Sequence, residues 1–371
     1  MTSRLRYGVL GCGMMGQEHL MNIALLPDSE VTAILEPDAG MRAAAHLLAR
    51  GATFVDTVEE LLDAGIDCLV IASPNFLHAE QIARIARGRP LPLLVEKPVC
   101  TSLDQADDLE RIGADYPAPL WVGMEYRYMP PIARLIAEAD DRTGGVRMLS
   151  IREHRFPFLH KVGGWNRFNR FTGGTLVEKC CHFMDLMLLI VRSAPVRVFA
   201  SAGHDHNHRA ETYDGQMPDI LDNAYVIVEF ENGRRAMLDL CMFAEGARYQ
   251  EEIAATGPLA RVEAFVPGPG RFWPEDRLGP APVPKVVFSP RDPKGPVELE
   301  APVDPRLMAA GDHNGATFHQ HVRFRESIIA NGQVEVDLRA GLRAVRLGVA
   351  AQHSARSGHS VDLTEGPFAI R

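Results

Sequence analysis

Lys97 and His182 are the side chains best suited to remove or restore the hydrogens of a carbinol. When a hydride leaves the carbon, a base must take the hydroxyl proton, and histidine titrates near neutrality. Glu178 and Asp185 stand four residues before and three residues after His182. On a helix that spacing gathers all three near one face, where a carboxylate can orient the imidazole and stabilise its charged form. Lys97 lies between Glu96 and Pro98, directly after an apolar run that reads as a buried strand. At the carboxyl end of such a strand, an ammonium can hold the reacting oxygen and share its proton. A surface lysine before a turn proline and a merely structural histidine are the plain alternatives.

The N-terminal segment offers a place for the hydride acceptor. Gly11, Gly13 and Gly16 have the G-x-G-x-x-G spacing, with Met14 and Met15 between the last two. They follow the apolar run Leu5–Leu10 and open a helical pattern, the context in which such glycines bind a dinucleotide. Gly11 permits a tight turn, Gly13 lets backbone approach a pyrophosphate, and Gly16 lets the helix pack close to the strand. The helix N-terminus, at Met14 and Met15, turns N–H groups and its positive dipole end toward the phosphates. Glu36 ends the next apolar run, about 20 residues after the last glycine, where a ribose-binding acid is expected. A carboxylate there accepts from the ribose diol and repels a 2′-phosphate, so NAD is predicted over NADP. Asp38 is the second candidate.

These residues need a scaffold. The apolar runs Leu5–Leu10, Val31–Leu35, Cys68–Ala72, Leu91–Val95 and Leu120–Val122 alternate with helical stretches at Met15–Leu26, Met41–Arg50, His78–Arg87 and Leu103–Ile112. Wholly apolar strands separated by helices imply a doubly wound parallel sheet, here over residues 1–123. Residues 124–371 change character. Strand patterns at Val146–His154 and Pro195–Ala202 flank a helix expected over Leu176–Val191. Asn223–Phe230, Arg235–Met242, Tyr249–Thr256 and Ala260–Phe265 then follow without helices, and the Asn232-Gly233 pair favours a hairpin. The expectation is an α+β second domain with a large, mostly antiparallel sheet open on one face. The proline-dense stretch Pro267–Pro305 reads as a long surface loop, and helices are expected at Thr317–Ile329 and Leu338–Ser354.

At 371 residues two domains are the prior, and 46% hydrophobic with 23% charged residues is an ordinary globular mixture. A net charge of −9 argues against nucleic acid and anionic membranes as partners. No apolar run is long enough to span a bilayer, and MTSRLRYGVLGCG lacks a signal peptide's apolar region. The six cysteines show no framework spacing, so reduced thiols in a cytoplasmic protein are expected.

The glycine turn combines with Ser73–His78 (SPNFLH), Glu96-Lys97-Pro98, Glu125–Tyr128 (EYRY) and Gly173–Asp185 (GGTLVEKCCHFMD). Together these motifs resemble the Gfo/Idh/MocA family of NAD(P)-dependent oxidoreductases, which includes glucose–fructose oxidoreductase and inositol 2-dehydrogenase. The resemblance covers essentially the whole chain. It implies a Rossmann domain, a C-terminal domain with an open sheet, a cleft between them, and homodimers or homotetramers that pair those sheets. Family members usually carry Asp four residues before the histidine, whereas this chain has Glu178, followed by Lys179 and the Cys180-Cys181 pair.

Ser73, Asn75, His78 and Glu96 are further cofactor candidates, with Asn75 and His78 expected at the nicotinamide ribose unless His78 only caps the following helix. The segment Arg147–Arg170 is basic in an acidic protein, holding Arg147, Arg152, His154, Arg155, His160, Lys161, Arg167 and Arg170 around Trp165 and Asn166. It runs into the motif that carries His182. Arg155, Lys161, Trp165, Asn166 and Arg167, with Arg127, Asp185 and His313, are therefore the substrate candidates. Guanidinium groups bind oxyanions in bidentate fashion, so a carboxylated or sulfonated sugar is one expectation and a solvated face the other. His204, His206 and His208 alternate in a polar loop and are not expected to bind metal. Hydride transfer at a secondary carbinol of a sugar or polyol is the leading reading. The alternative is an NAD-dependent glycosidase that oxidises transiently, eliminates, adds water and re-reduces, with Lys179 among its proton carriers. A nonenzymatic dinucleotide sensor would not need Lys97, Glu178 and His182.

Overall fold

The computed structural model describes residues 4–330 and 333–370, so the first three residues of the opening segment lie outside it. β1 (Leu5–Leu10), β2 (Ser29–Leu35), β3 (Thr53–Val55), β4 (Cys68–Ile71), β5 (Leu93–Val95) and β6 (Leu120–Val122) form a parallel sheet in the order β3-β2-β1-β4-β5-β6. The intervening helices are α1 (Met14–Ala24), α2 (Ala39–Leu48), α3 (Val58–Asp63), α4 (His78–Arg87) and α5 (Leu103–Ala114). Side-chain caps start three of them, at Asp38, Thr57 and Ser102. Every residue of β4, β5 and β6 is buried, which explains their unbroken apolar sequences. The chain winds to opposite sides of β1, and such a switch point opens a crevice at the carboxyl ends of the strands.

After α6 (Pro130–Thr143) comes β7 (Met148–His154), then α7 (Asn169–Thr172), α8 (Thr175–Glu178) and α9 (Cys181–Val191). The remaining strands are β8 (Pro195–Gly203), β9 (Asn223–Phe230), β10 (Arg235–Cys241), β11 (Glu251–Thr256), β12 (Ala260–Val266), β13 (Lys285–Pro290), β14 (Val297–Glu300) and β15 (Val361–Asp362). They make a nine-stranded sheet, ordered β14-β13-β12-β11-β7-β10-β9-β8-β15, antiparallel except where β10 runs parallel to β7. One face packs on α6, α9 and a late helix, while Met148, Phe199, Tyr225, Ile227 and Met237 stand exposed on the strands.

Three expectations change. The helix expected over Leu176–Val191 breaks into α8 and α9, because the Cys180 N–H reaches back five residues to Thr175 O (3.2 Å). The proline-dense stretch is not one loop: the Lys285–Phe288 segment, with Val286, Val287 and Phe288 all buried, pairs with β12 and β14, with most of the prolines left between or beyond strands. Finally, α10 (Glu275–Leu278) and α11 (Pro305–Ala309) are short, but α12 (Ala316–Ile329) packs on α1, and α13 (Leu338–Ser357) runs against α5, β6, α8, α9 and β8. Residues far beyond 123 thus pack on the first domain, and at the edge of its sheet Val122 N–H donates to Val336 O at 2.9 Å. α13 makes its closest approaches through two glycines. A Cβ on Gly341 would lie 2.8 Å from Val122, and one on Gly348 would lie 2.5 Å from the Leu176 carbonyl. No helix among the described residues is long and apolar enough to cross a membrane.

Candidate active site

A cavity of about 580 Å³ lies where the carboxyl ends of the first sheet meet the second domain. Its cofactor end is made largely of backbone. Gly11 has φ +91°, and a Cβ there would lie 2.6 Å from Ser73 N. Gly13 precedes α1 with nothing within 4 Å of where its Cβ would stand, leaving room for a pyrophosphate beside the helix N-terminus. Met14 and Met15 line the cavity. Gly16 does not; a Cβ there would overlap the Gly11 carbonyl, so its place is in the packing beneath the turn. Glu36 is held by two backbone donors, Cys12 N–H and Asp38 N–H (2.8 Å), and presents its carboxylate to the cavity. Asp38 instead caps α2, accepting from Met41 N–H at 2.9 Å. Ser73 and Asn75 also line this end, and the buried Asn75 Nδ2 has no partner among the described residues. These features fit a dinucleotide: open space at the turn, an anchored carboxylate, and an unpaired amide donor.

His78 is a correction. Its ring is buried away from the cavity, bridging Pro98 O (2.8 Å) and Ser73 O (2.9 Å). It ties the Ser73–Asn75 loop to the turn that carries Lys97. Burial, despite both carbonyls, holds its pKa below the usual histidine value.

The acid–base end gathers Lys97, His182, Glu178, Lys179, Lys161, Arg155, Trp165, Asn166 and His313 around the same cavity. His182 is 1% exposed and stacks on Tyr126, with ring centroids 4.0 Å apart and planes 6° apart. Burial, then the charges of Lys97 and Lys179, depress its pKa well below 6.5, so it is neutral at neutral pH. Lys97 Nζ donates to Glu178 O at 3.3 Å. Burial opposes its charge, but Cys181, Glu125, Glu96 and Glu178 outweigh that and raise its pKa. The other lysines and arginines lining the cavity each face a carboxylate: Arg155 and Lys179 meet Glu153 (3.4 and 2.8 Å), and Lys161 meets Glu178 (3.4 Å). Among the described residues, Lys97 has no carboxylate within 4 Å.

The carboxylates expected beside His182 are elsewhere. The break after α8 removes Glu178 from the i−4 position of a continuous helix, and Glu178 pairs with Lys161. Asp185 forms a buried two-pronged ion pair with Arg127, whose Nε lies 2.6 Å from Asp185 Oδ2. That pair braces Tyr126's turn against α9, and neither member lines the cavity. Instead Glu125 Oε1 lies 3.5 Å from His182 Nε2 and 3.8 Å from His313 Nε2. Burial and the nearby Glu96 push the Glu125 carboxyl up to about 7. His313 is tied through Nδ1 to Glu18 Oε1 at 2.8 Å. Despite burial, Glu18 raises its pKa to about 9, so it is an imidazolium beside a neutral His182.

The basic segment is also redistributed. Arg167 turns away to Glu211 (2.8 Å), Arg152 pairs with Glu252, and Arg170 reaches Gln216 (2.8 Å). Lys161 lies 4.4 Å over the Trp165 ring, and Asn166 donates to Leu159 O at 2.9 Å. Among the described residues no group of histidines, cysteines and acids could hold a metal. His204 and His208 are engaged with Asn207 O and Glu211, and the six cysteines are unpaired.

Sequence reading gave no site role to Glu125 and Tyr126, which it noted only within the EYRY motif, and missed Glu153, Gln250 and Glu251. Glu153 and Glu251 carried a signal: each continues the inward register of its strand, after Leu149 and Ile151 or before Ile253 and Ala255.

Residues 5–124 match the oxidoreductase family with an NAD-binding Rossmann fold, and residues 139–255 match the C-terminal alpha/beta domain of the same family. The chain belongs to the Gfo/Idh/MocA oxidoreductases. Like other members it is an NAD-using oxidoreductase with a Rossmann domain and a mixed, mostly antiparallel nine-stranded sheet. It is 24% identical to the uncharacterized oxidoreductase YrbE of Bacillus subtilis over 98% of both chains. It is 27% identical to inositol 2-dehydrogenase of Rhizobium meliloti over 70% of this chain and 75% of that one. Its fold is similar to that of levoglucosan dehydrogenase in complex with NADH and levoglucosan (TM-score 0.79, 18% identity, covering 98% of this chain and 100% of the other).

Proposed function

We propose that the protein catalyses NAD-dependent hydride transfer at a secondary carbinol of a neutral sugar or polyol. The observation that carries this reading is Lys97: it is an ammonium without a carboxylate partner, beside a neutral histidine, where the cofactor groove meets the second domain. When bound, NAD supplies the hydride acceptor. Gly11, Gly13, Met14, Met15, Glu36, Ser73 and Asn75 would hold it.

Lys97 spends one proton on Glu178 O and has two left for the reacting oxygen. Its charge favours the alkoxide over the alcohol, which eases loss of the hydroxyl proton. His182, kept neutral by burial and the neighbouring lysines, accepts that proton. Stacking on Tyr126 fixes the ring plane, and Glu125 Oε1, 3.5 Å from Nε2, is the carboxylate beside the ring in place of Glu178. In the reverse direction, where bound NADH would supply the hydride to the ketone carbon, the same groups return the proton to its oxygen.

A neutral substrate is favoured over a carboxylated or sulfonated one. Arg155 and Lys161, the cations of the basic segment that line the cavity, already hold internal carboxylates. An anion would have to displace them. The names of the relatives support the sugar or polyol class without deciding its charge: inositol 2-dehydrogenase, glucose-6-phosphate 3-dehydrogenase and levoglucosan dehydrogenase. The test is to incubate the enzyme and NAD with myo-inositol, glucose, levoglucosan, a 6-carboxylated sugar and a chromogenic glycoside. NADH formed in proportion to product with a neutral polyol is expected. Release of the chromogenic group without NADH would replace this reading with the glycosidase.

The reading extends to assembly. The exposed strand face bearing Phe199, Tyr225, Ile227 and Met237 is where a second copy would pair. Tyr225→Lys with Ile227→Glu should lower the mass measured by light scattering to that of one chain.

A further inference from the structure

We infer that Glu251, with Lys179, Arg155 and Gln250, forms a second recognition subsite that holds a vicinal diol of the substrate away from its reacting carbon. The inference rests on the hydride-transfer reading above.

Glu251 begins β11 and lies directly across from Glu153 of β7, both turned to the covered face of the sheet. Two carboxyl groups side by side in an apolar register are costly unless paired. The structure compensates them only in part. Glu153 Oε1 receives Lys179 Nζ (2.8 Å) and Arg155 (3.4 Å), and Gln250 Nε2 donates to Glu251 Oε1 (2.6 Å). Glu251 Oε2 and Glu153 Oε2 are buried with no partner among the described residues. Gln250, Glu251, Lys179, Arg155 and Tyr126 all line the cavity.

Lys179 commits two of its three ammonium protons, to Glu153 and to the Tyr126 hydroxyl (2.6 Å). The wall therefore offers a free carboxyl acceptor near a free ammonium donor. Two adjacent hydroxyls complement that pair: one donates to Glu251 Oε2 and the other accepts from Lys179. Neither an anionic nor a cationic substituent fits as well. An oxyanion meets Glu153 and Glu251, and an amine meets Lys179 and Arg155. Lys179 thereby leaves the proton-transfer role and becomes a substrate-holding group.

Burial, and then Glu153, raise the Glu251 carboxyl to about 7, while Lys179, Gln250 and Arg155 pull it down. The groups facing it are Glu153 and Arg155 from β7 and its end, Lys179 from the α8–α9 break, and Tyr126 from the turn after β6. A hydroxyl donating to Oε2 favours the charged form, so diol binding near neutrality expels a proton.

The test uses the full-length enzyme saturated with NADH and titrated with myo-inositol, glucose and levoglucosan by calorimetry in buffers of different ionisation enthalpy. Steady-state turnover is measured alongside with NAD. For the sugar or polyol that is turned over, wild type should release protons on binding near pH 7. Glu251→Gln should abolish that release and raise KM about 10–100-fold, the scale of a lost charge-assisted hydrogen bond, with a much smaller change in kcat. If Glu251→Gln does not fold, Glu251→Asp, which withdraws the carboxylate by one methylene, should show the same KM rise. An unchanged KM and proton release, or a loss confined to kcat, overturns the subsite. Tighter binding of an amino sugar than of its neutral parent also overturns it. Failure of wild type to form NADH with any of the three overturns the functional reading itself.

Discussion

At the cofactor end of the cavity, recognition rests on backbone: a left-handed glycine, an uncrowded helix N-terminus, and a carboxylate pinned by two N–H groups. At the substrate end it rests on charged side chains that arrive from β5, β7, β11, the α8–α9 break and the segment before α12. The first kind of site is local, since Gly11 to Glu36 spans one helix and one strand. The second is a balance of buried charges in which nearly every cation answers a particular carboxylate. Changes at the cofactor end should therefore tune affinity in isolation, whereas changes at the substrate end should leave an unpaired charge behind.

The strongest test of that contrast is Arg127→Ala. It orphans Asp185 in a buried pair and should cost about 3–5 kcal/mol of folding stability, read by urea denaturation. A loss below 1 kcal/mol would mean that charge balance does not hold this end together. Next, Lys97→Ala should lower kcat by about 100-fold or more while the dissociation constant for NAD stays near wild type. Equal losses in NAD affinity and kcat would erase the division between the two ends.

A third test uses pH. His313 is raised from 6.5 to about 9 by Glu18, so its contribution to stability is full below pH 6.5 and lost as pH rises through 9. Glu18 is lowered from 4.5 to about 2, so its contribution is full above 4.5 and lost as pH falls toward 2. Thermal melts should therefore lose about 2 kcal/mol between pH 6.5 and 9, and Glu18→Gln should flatten that slope. The smallest effect is expected at the backbone end. Glu36→Ser should relax the preference for NAD over NADP by about tenfold, near 1.4 kcal/mol, in a binding titration. NADP bound more tightly than NAD by wild type would sink the assignment of Glu36.

Much of the first sheet and its glycine turn could be read in the sequence because strand, turn, helix and acid follow one another. The substrate end was only partly legible. Lys97, His182, Lys161 and Arg155 were singled out, but their partners depend on which residues oppose them in space. Glu178 lost its expected place because one N–H reached back five residues and broke a helix. Arg127, Asp185 and Arg167 looked like substrate ligands because charge near a catalytic motif does not say which charge neutralises which. Glu251 was not singled out, because its role depends on β7 placing Glu153 beside it.

The two close glycines of α13 give that helix a mechanical part to play. Gly341 rests on the last strand of the dinucleotide sheet, and Gly348, two turns on, rests on the carbonyl of Leu176 just before the catalytic bend. Seven helical residues span about 10 Å. The helix thus acts as a spacer between the last strand of the dinucleotide sheet and the segment that leads into His182. A methyl group added at either seat would push the helix away from that contact and show itself as a wider cleft in solution scattering.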